Sequence, residues 1–187
     1  MIDDKATDTA DIDARIAEVA EKSGFVPNVF SALAQRPELF RAFFEFHDLL
    51  MDKDTPALSK ADRELIVVAT SAANSCTYCV IAHGAILRIR DKDPEIADLV
   101  AVDWRKAPLD DRRRALVDYA VRLARSPEDV GPADAEALRA VGFSDDDIWD
   151  IVAIVGFFAL SNRLAQAFDM RPNSEFFMMG RAPLTDR

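Results

Sequence analysis

The stretch LSKADRELIVVATSAANSCTYCVIAH, Leu58 to His83, decides how the rest of the chain is read. Leu58-Ser59-Lys60-Ala61-Asp62 has the form of a helix start, with Ser59 placed to accept a hydrogen bond from the first turn. Leu65, Ile66, Val68 and Ala69 carry that helix onward. Asn74-Ser75 interrupts it, because both side chains compete for backbone groups and favour caps and turns. A second helix is expected from Cys76 to about Arg90, which places both cysteines in its first turn. Outward from this pair, spacings of three and four recur, while long apolar/polar alternation and Asn-Gly or Asp-Gly hairpin turns are missing. The fold class is therefore all-α. Further helices are expected from about Asp11 to Lys22, with Gly24 as its stop, and from Pro37 to about Asp52, whose Leu39, Phe40, Phe43, Phe44, Phe46, Leu49 and Leu50 read as core. Others fall near Pro94 to Val100, Leu109 to Ala124, Pro132 to Val141 and Ser144 to Phe168. Phe25-Val26-Pro27-Asn28 reads as a turn. The tail from Arg171 carries Phe176-Phe177-Met178-Met179, apolar enough to dock on its own chain or on a neighbour.

With 187 residues, half of them apolar and 30% charged, the chain fits one globular domain over 1–187. Its 23 Lys and Arg against 33 Asp and Glu leave a net charge of −10. That balance disfavours nucleic acid and anionic membranes, both of which are bound through cations on phosphate. Met1-Ile2-Asp3-Asp4-Lys5 lacks the basic start of a secretion signal, and the apolar run Ile148 to Leu160 is shorter than the roughly 20 residues of a membrane span. A cytoplasmic location is expected. A weak internal repeat is also visible: the capped apolar helix from Leu58 is echoed by Phe143-Ser144-Asp145-Asp146-Asp147 and Ile151-Val152-Ala153-Ile154. The second copy, about 143–170, holds no cysteine and no histidine, which leaves the first, about 58–90, as the half that carries chemistry.

The two cysteines, Cys76 and Cys79, lie three residues apart, and one of the two histidines, His83, follows four later. On a helix the three fall within an arc of roughly 60°. A helix N-terminus and a neighbouring imidazole both favour a thiolate, here expected at Cys79. A thiolate oxidised by a hydroperoxide becomes a sulfenic acid, which a second thiol converts to a disulfide. Cysteines at i and i+3 have Cα atoms about 5 Å apart, within disulfide range. Competing readings are a thioredoxin-like motif, which requires a preceding strand in a βαβ unit; a zinc site, which lacks a fourth ligand; and two buried thiols with a packed histidine. The break at Asn74-Ser75 prevents spacing alone from placing Glu64 in the site. His47 reads as a packed histidine in an aromatic helix, and Arg112-Arg113-Arg114 as a charged outer face. Trp104 and Trp149 read as packing residues. No phosphate-cradling glycine loop is present.

Glu64, Cys76, Cys79 and His83, with Ser71-Ala72-Ala73-Asn74 before and Tyr78 between, resemble the alkylhydroperoxidase AhpD core of the carboxymuconolactone decarboxylase-like superfamily. Phe25-Val26-Pro27-Asn28-Val29-Phe30, Leu58-Ser59, Asp62-Arg63-Glu64 and Asn162-Arg163-Leu164 are similar to its peroxidase-related branch. The resemblance implies an AhpD-like helical fold, homo-oligomers and thiol-dependent reduction of organic hydroperoxides. It implies that Cys79 attacks, Cys76 resolves, and Glu64 and His83 form a proton relay. It requires no haem, flavin or metal cofactor, and an external dithiol of lipoamide or thioredoxin type as reductant. The family's peroxidase form carries a histidine where this chain has Tyr78, a side chain that does not act as a base near pH 7. Two other activities fit the resemblance: a decarboxylase or lactone chemistry of the superfamily's other branch, and a non-catalytic redox sensor.

Overall fold

The computed structural model describes residues 9–181. The acidic start, Met1 to Lys5, lies outside the described residues, as do positions 182–187. Within them the chain is all-helical, without strands. The helices are α1 (Ala10–Ser23), α2 (Asn28–Ala34), α3 (Pro37–Met51), α4 (Lys60–Ala73), α5 (Thr77–Asp91), α6 (Ile96–Asp103), α7 (Asp111–Arg125), α8 (Pro132–Ala140) and α9 (Asp145–Ala167), with short 3-10 turns at Pro127–Asp129 and Ser174–Phe177. Helix α2 follows the expected Phe25–Asn28 turn, in a stretch for which no element was expected. It has seven residues, too few to show a period, and is held by burial of Phe30 and Leu33 after an extended Pro27.

Helix α4 is the centre of the fold. Every residue from Ala61 to Ser71 is buried, and α5, α6, α7, α9 and α3 pack around it, as expected of a helix with no polar stripe. Its start is a capping box: Ser59 accepts from the Asp62 amide while the Asp62 carboxylate accepts from the Ser59 amide. Ser144 and Asp147 repeat this arrangement at the start of α9. The charged residues that α4 buries are all paired. Arg63, 0% exposed, donates to the Leu50 carbonyl at 2.7 Å and to Asp150 at 2.8 Å. Asp62 is bound by Arg112 and Arg113, and Arg113 also grips Asp91. The Arg112-Arg113-Arg114 run is thus not a plain solvated face. Arg112 lies over the Phe143 ring, and Arg114 donates to the carbonyls of Arg105 and Ala107. Arg112 and Arg113 tie α7 to α4 and α5, elements remote in sequence, while Arg114 fastens it to the nearby loop that follows α6.

Helix α9 runs longer than the apolar stretch seen in the sequence and is long and apolar enough, by length and composition, to cross a membrane; 44% of its most apolar window is buried inside the fold. Ile151, Ile154, Val155, Phe157 and Phe158 supply that buried face against α3, α4 and α7, which is the role of a core helix. The tail docks on its own chain. Arg88 of α5 donates to the carbonyls of Phe176 and Met179, and Asn173 binds the backbone of Asn28 and Val26. Phe176 meets Phe25 edge to face at 5.0 Å between centroids.

Candidate active site

The site is built at the junction of α4 and α5. Ser75 adopts φ +57°, and the Cys76 amide donates to the Ser71 carbonyl at 2.9 Å. This tight reversal is what the Asn74-Ser75 pair permits. Lys60 at the start of α4 lies against Arg90 at the end of α5, so the two helices run antiparallel as a hairpin. The reversal brings Glu64 beside His83, with Glu64 Oε2 2.7 Å from His83 Nδ1. Arg90 takes the other oxygen of Glu64 at 3.2 Å. Glu64 is almost fully buried, and the pairing on both oxygens is what makes a carboxylate tolerable there.

Cys76 is the cap residue of α5 and Cys79 lies in its first turn; both are free thiols and both are buried. The Cys79 thiol hydrogen-bonds the Cys76 sulfur. Together with the amides of Cys79 and Tyr78, as long contacts rather than a formal cap bond, and with Asn162, it outweighs burial and brings Cys76 down to about 7. The same hydrogen bond, then burial and the neighbouring charge, push Cys79 up. The sequence reading expected the easily lost proton on Cys79; here the hydrogen bond from the Cys79 thiol, with the amides of the first turn as a smaller aid, favours charge on Cys76. The pair behaves as one unit holding a shared proton.

Only one of the two sulfurs reaches the cavity. A space of about 280 Å³ is lined by Cys79, His83, His47, Tyr78, Ser161 and Arg15 amid apolar side chains that include Phe30, Phe44, Phe158, Phe176 and Met179. Cys76 is buried and does not line it. Ser161 Oγ stands 3.8 Å from Cys79 Sγ. Asn162 accepts from Asn74 at 2.9 Å and donates to Ser71 at 3.0 Å, locking α9 onto the hairpin turn. Tyr78 accepts from the Val29 amide, and burial raises it to about 12, so it stays a neutral phenol. Among the described residues no three His, Cys, Asp or Glu side chains gather as metal ligands.

The structure brings together all four residues selected from the sequence and adds others. Arg90 lies seven residues after His83, two helical turns on, and that spacing was a readable signal. Ser161 had none. Asn162 stood in a quoted motif, but its contacts with the cysteines come only from the packing of α9. His47 packs against Phe44, Phe157 and Phe158, as its aromatic helix suggested, and also lines the cavity.

The carboxymuconolactone decarboxylase family model matches residues 37–103, from the first residue of α3 to the last of α6. A crystal structure of an alkylhydroperoxidase AhpD core, an uncharacterized peroxidase-related protein from Ralstonia eutropha JMP134, is 59% identical, with TM-score 0.90 over 92% of this chain and 90% of that one. The chain belongs to the carboxymuconolactone decarboxylase family, in its AhpD-core branch. A peroxidase-related protein from Silicibacter sp. TM1040 is 40% identical with TM-score 0.87, covering 91% of this chain and 89% of that one. Human Sestrin-2 is 26% identical over 138 residues, 74% of this chain. This AhpD-core chain spans about a quarter of that longer relative, 27% of its length. The AhpD-core assignment agrees with the resemblance carried by Glu64, Cys76, Cys79 and His83.

Proposed function

We propose that this chain is a thiol-dependent peroxidase that reduces organic hydroperoxides, with Cys79 as the attacking thiol, Cys76 as the resolving thiol and Glu64–His83 as the proton relay. One observation carries the reading: the sulfur that lines the apolar cavity is Cys79, one turn along α5 from Cys76, the sulfur that best bears charge. The Cys79 proton passes to the Cys76 thiolate or to His83, which stands one turn along α5 with its ring oriented by buried Glu64. The Cys79 thiolate then attacks the distal oxygen of ROOH. The O–O bond breaks, Cys79 becomes a sulfenic acid, and RO⁻ takes a proton and leaves as ROH. The Cys76 thiol next condenses with the sulfenic acid, releasing water and forming the disulfide, before further oxidation of Cys79 sets in. An external dithiol of lipoamide or thioredoxin type, by exchange, returns both thiols. The largely apolar wall fits a carbon-bearing peroxide rather than a small, strongly hydrated one.

The test is turnover of cumene hydroperoxide with dihydrolipoamide. Wild type should turn over. Cys79→Ser should not react at all, and Cys76→Ser should oxidise once and proceed to sulfinic acid. Equal activity in all three proteins would end the proposal.

A further inference from the structure

His47 and His83 enter the cavity from different helices in matching fashion. His83 on α5 has its Nδ1 on buried Glu64 at 2.7 Å. His47 on α3 has its Nδ1 on Asp48 at 3.1 Å. The carboxylate of Asp48 is itself gripped by Arg15 of α1 at 2.7 and 2.9 Å, and although burial raises Asp48, the His47 hydrogen bond and Arg15 hold it below the usual carboxylate range. Each imidazole thus has one nitrogen fixed by a carboxylate, and each Nε2 lacks a protein partner among the described residues. The ring centroids stand 6.3 Å apart, and both rings line the cavity that holds Cys79. The aromatic rings against His47 besides His83 are Phe44, Phe157 and Phe158, which bring no charge, while the Arg15 guanidinium is engaged by Asp48. Two imidazoles at this separation leave room for one small group bonded to both, since a hydrogen bond spans about 3 Å.

We propose that His47 is a further catalytic residue, the general acid that protonates the departing alkoxide. This rests on the peroxidase reading above and assigns the proton it leaves without a donor. As Cys79 sulfur bonds to the distal oxygen and the O–O electron pair moves onto the proximal oxygen, the imidazolium form of His47 gives its Nε2 proton to that oxygen, yielding ROH and a neutral ring that keeps its Nδ1 proton on Asp48. Nδ1, held by Asp48, keeps the ring turned toward the cavity, and solvent returns the proton after each turnover. His83 works on the thiol and His47 on the leaving group. Imidazole is the side chain suited to donate and recover a proton near neutral pH.

The test compares two oxidants in single-turnover oxidation of the reduced chain. With tert-butyl hydroperoxide the leaving group is an alkoxide that requires a proton; with peracetic acid it is a carboxylate, stable as an anion at neutral pH. His47→Gln should slow the first about 100-fold and the second less than about 3-fold, in line with general-acid contributions. Asp48→Asn should show the same selectivity with a smaller loss, and it provides the measurement if His47→Gln does not fold. His83→Gln should slow both oxidants. Equal slowing of both oxidants, or of neither, by the His47 and Asp48 variants would overturn the role of His47 while leaving the peroxidase reading in place. A wild-type chain inert toward both would remove that reading and, with it, this one.

Discussion

The shared proton of the dithiol can be measured directly by removing the donor. With Cys76 at about 7, about half of the chains carry a thiolate at pH 7, against about 3% for an ordinary thiol near 8.5. The sign is definite: below this value the pair is neutral, above it one sulfur is charged, and the second proton stays on well past the ordinary thiol range because Cys79 is pushed up. Cys79→Ala deletes the thiol that hydrogen-bonds Cys76, the largest of the influences that lower it. The amides of Cys79 and Tyr78 and the side chain of Asn162 remain, set against burial, so the midpoint should rise by about 1.5 units, equivalent to about 2 kcal/mol. The thiolate population at pH 7 should then fall about 15-fold. Ultraviolet absorbance of the thiolate, followed from pH 5 to 10 under reducing conditions, reports this without any reagent having to enter the cavity. Cys76→Ala provides the converse: Cys79 loses its charged neighbour and should titrate closer to an ordinary thiol. A midpoint near 7 that survives Cys79→Ala would refute the shared proton and leave the helix end as its sole cause. A wild-type midpoint at 8.5 or above would refute the acidification altogether.

Three further outcomes follow from the contacts. Glu64→Gln removes the carboxylate that orients His83 and leaves Arg90 without its charged partner; peroxide turnover should fall by about 10- to 100-fold, and thermal denaturation should show a loss of several kcal/mol, about 3 to 5 for a broken buried pair. Arg63→Ala leaves Asp150 with Lys53 as its one cation among the described residues and strands the Leu50 carbonyl. Chemical denaturation should register about 3 kcal/mol or more, with no direct effect on the thiol titration. Asn162→Ala cuts the link between α9 and the hairpin turn at a cost of about 1–3 kcal/mol, and it should raise the Cys76 midpoint, since Asn162 also steadies that sulfur. An unchanged midpoint there would show that the amide side chain serves only the packing.

The sequence by itself determined the helical class, most helix boundaries and the grouping of Cys76, Cys79 and His83. Those features depend on the 3.6-residue period and on caps such as Ser59 with Asp62, which act over a few residues and so are written locally. It also marked the break at Asn74-Ser75, although not what the break accomplishes. Tertiary structure decided the rest. The antiparallel return of α5 along α4 set Glu64 against His83, a pairing that resemblance could name but spacing could not. The approach of α9 brought Ser161 and Asn162 to the sulfurs, and α3 brought His47 into the cavity from more than thirty positions away. The location of the acidic thiol belongs to this second class as well, because a thiol's proton answers to what packs around the sulfur, and burial and the proton of a neighbouring thiol are properties of the folded chain.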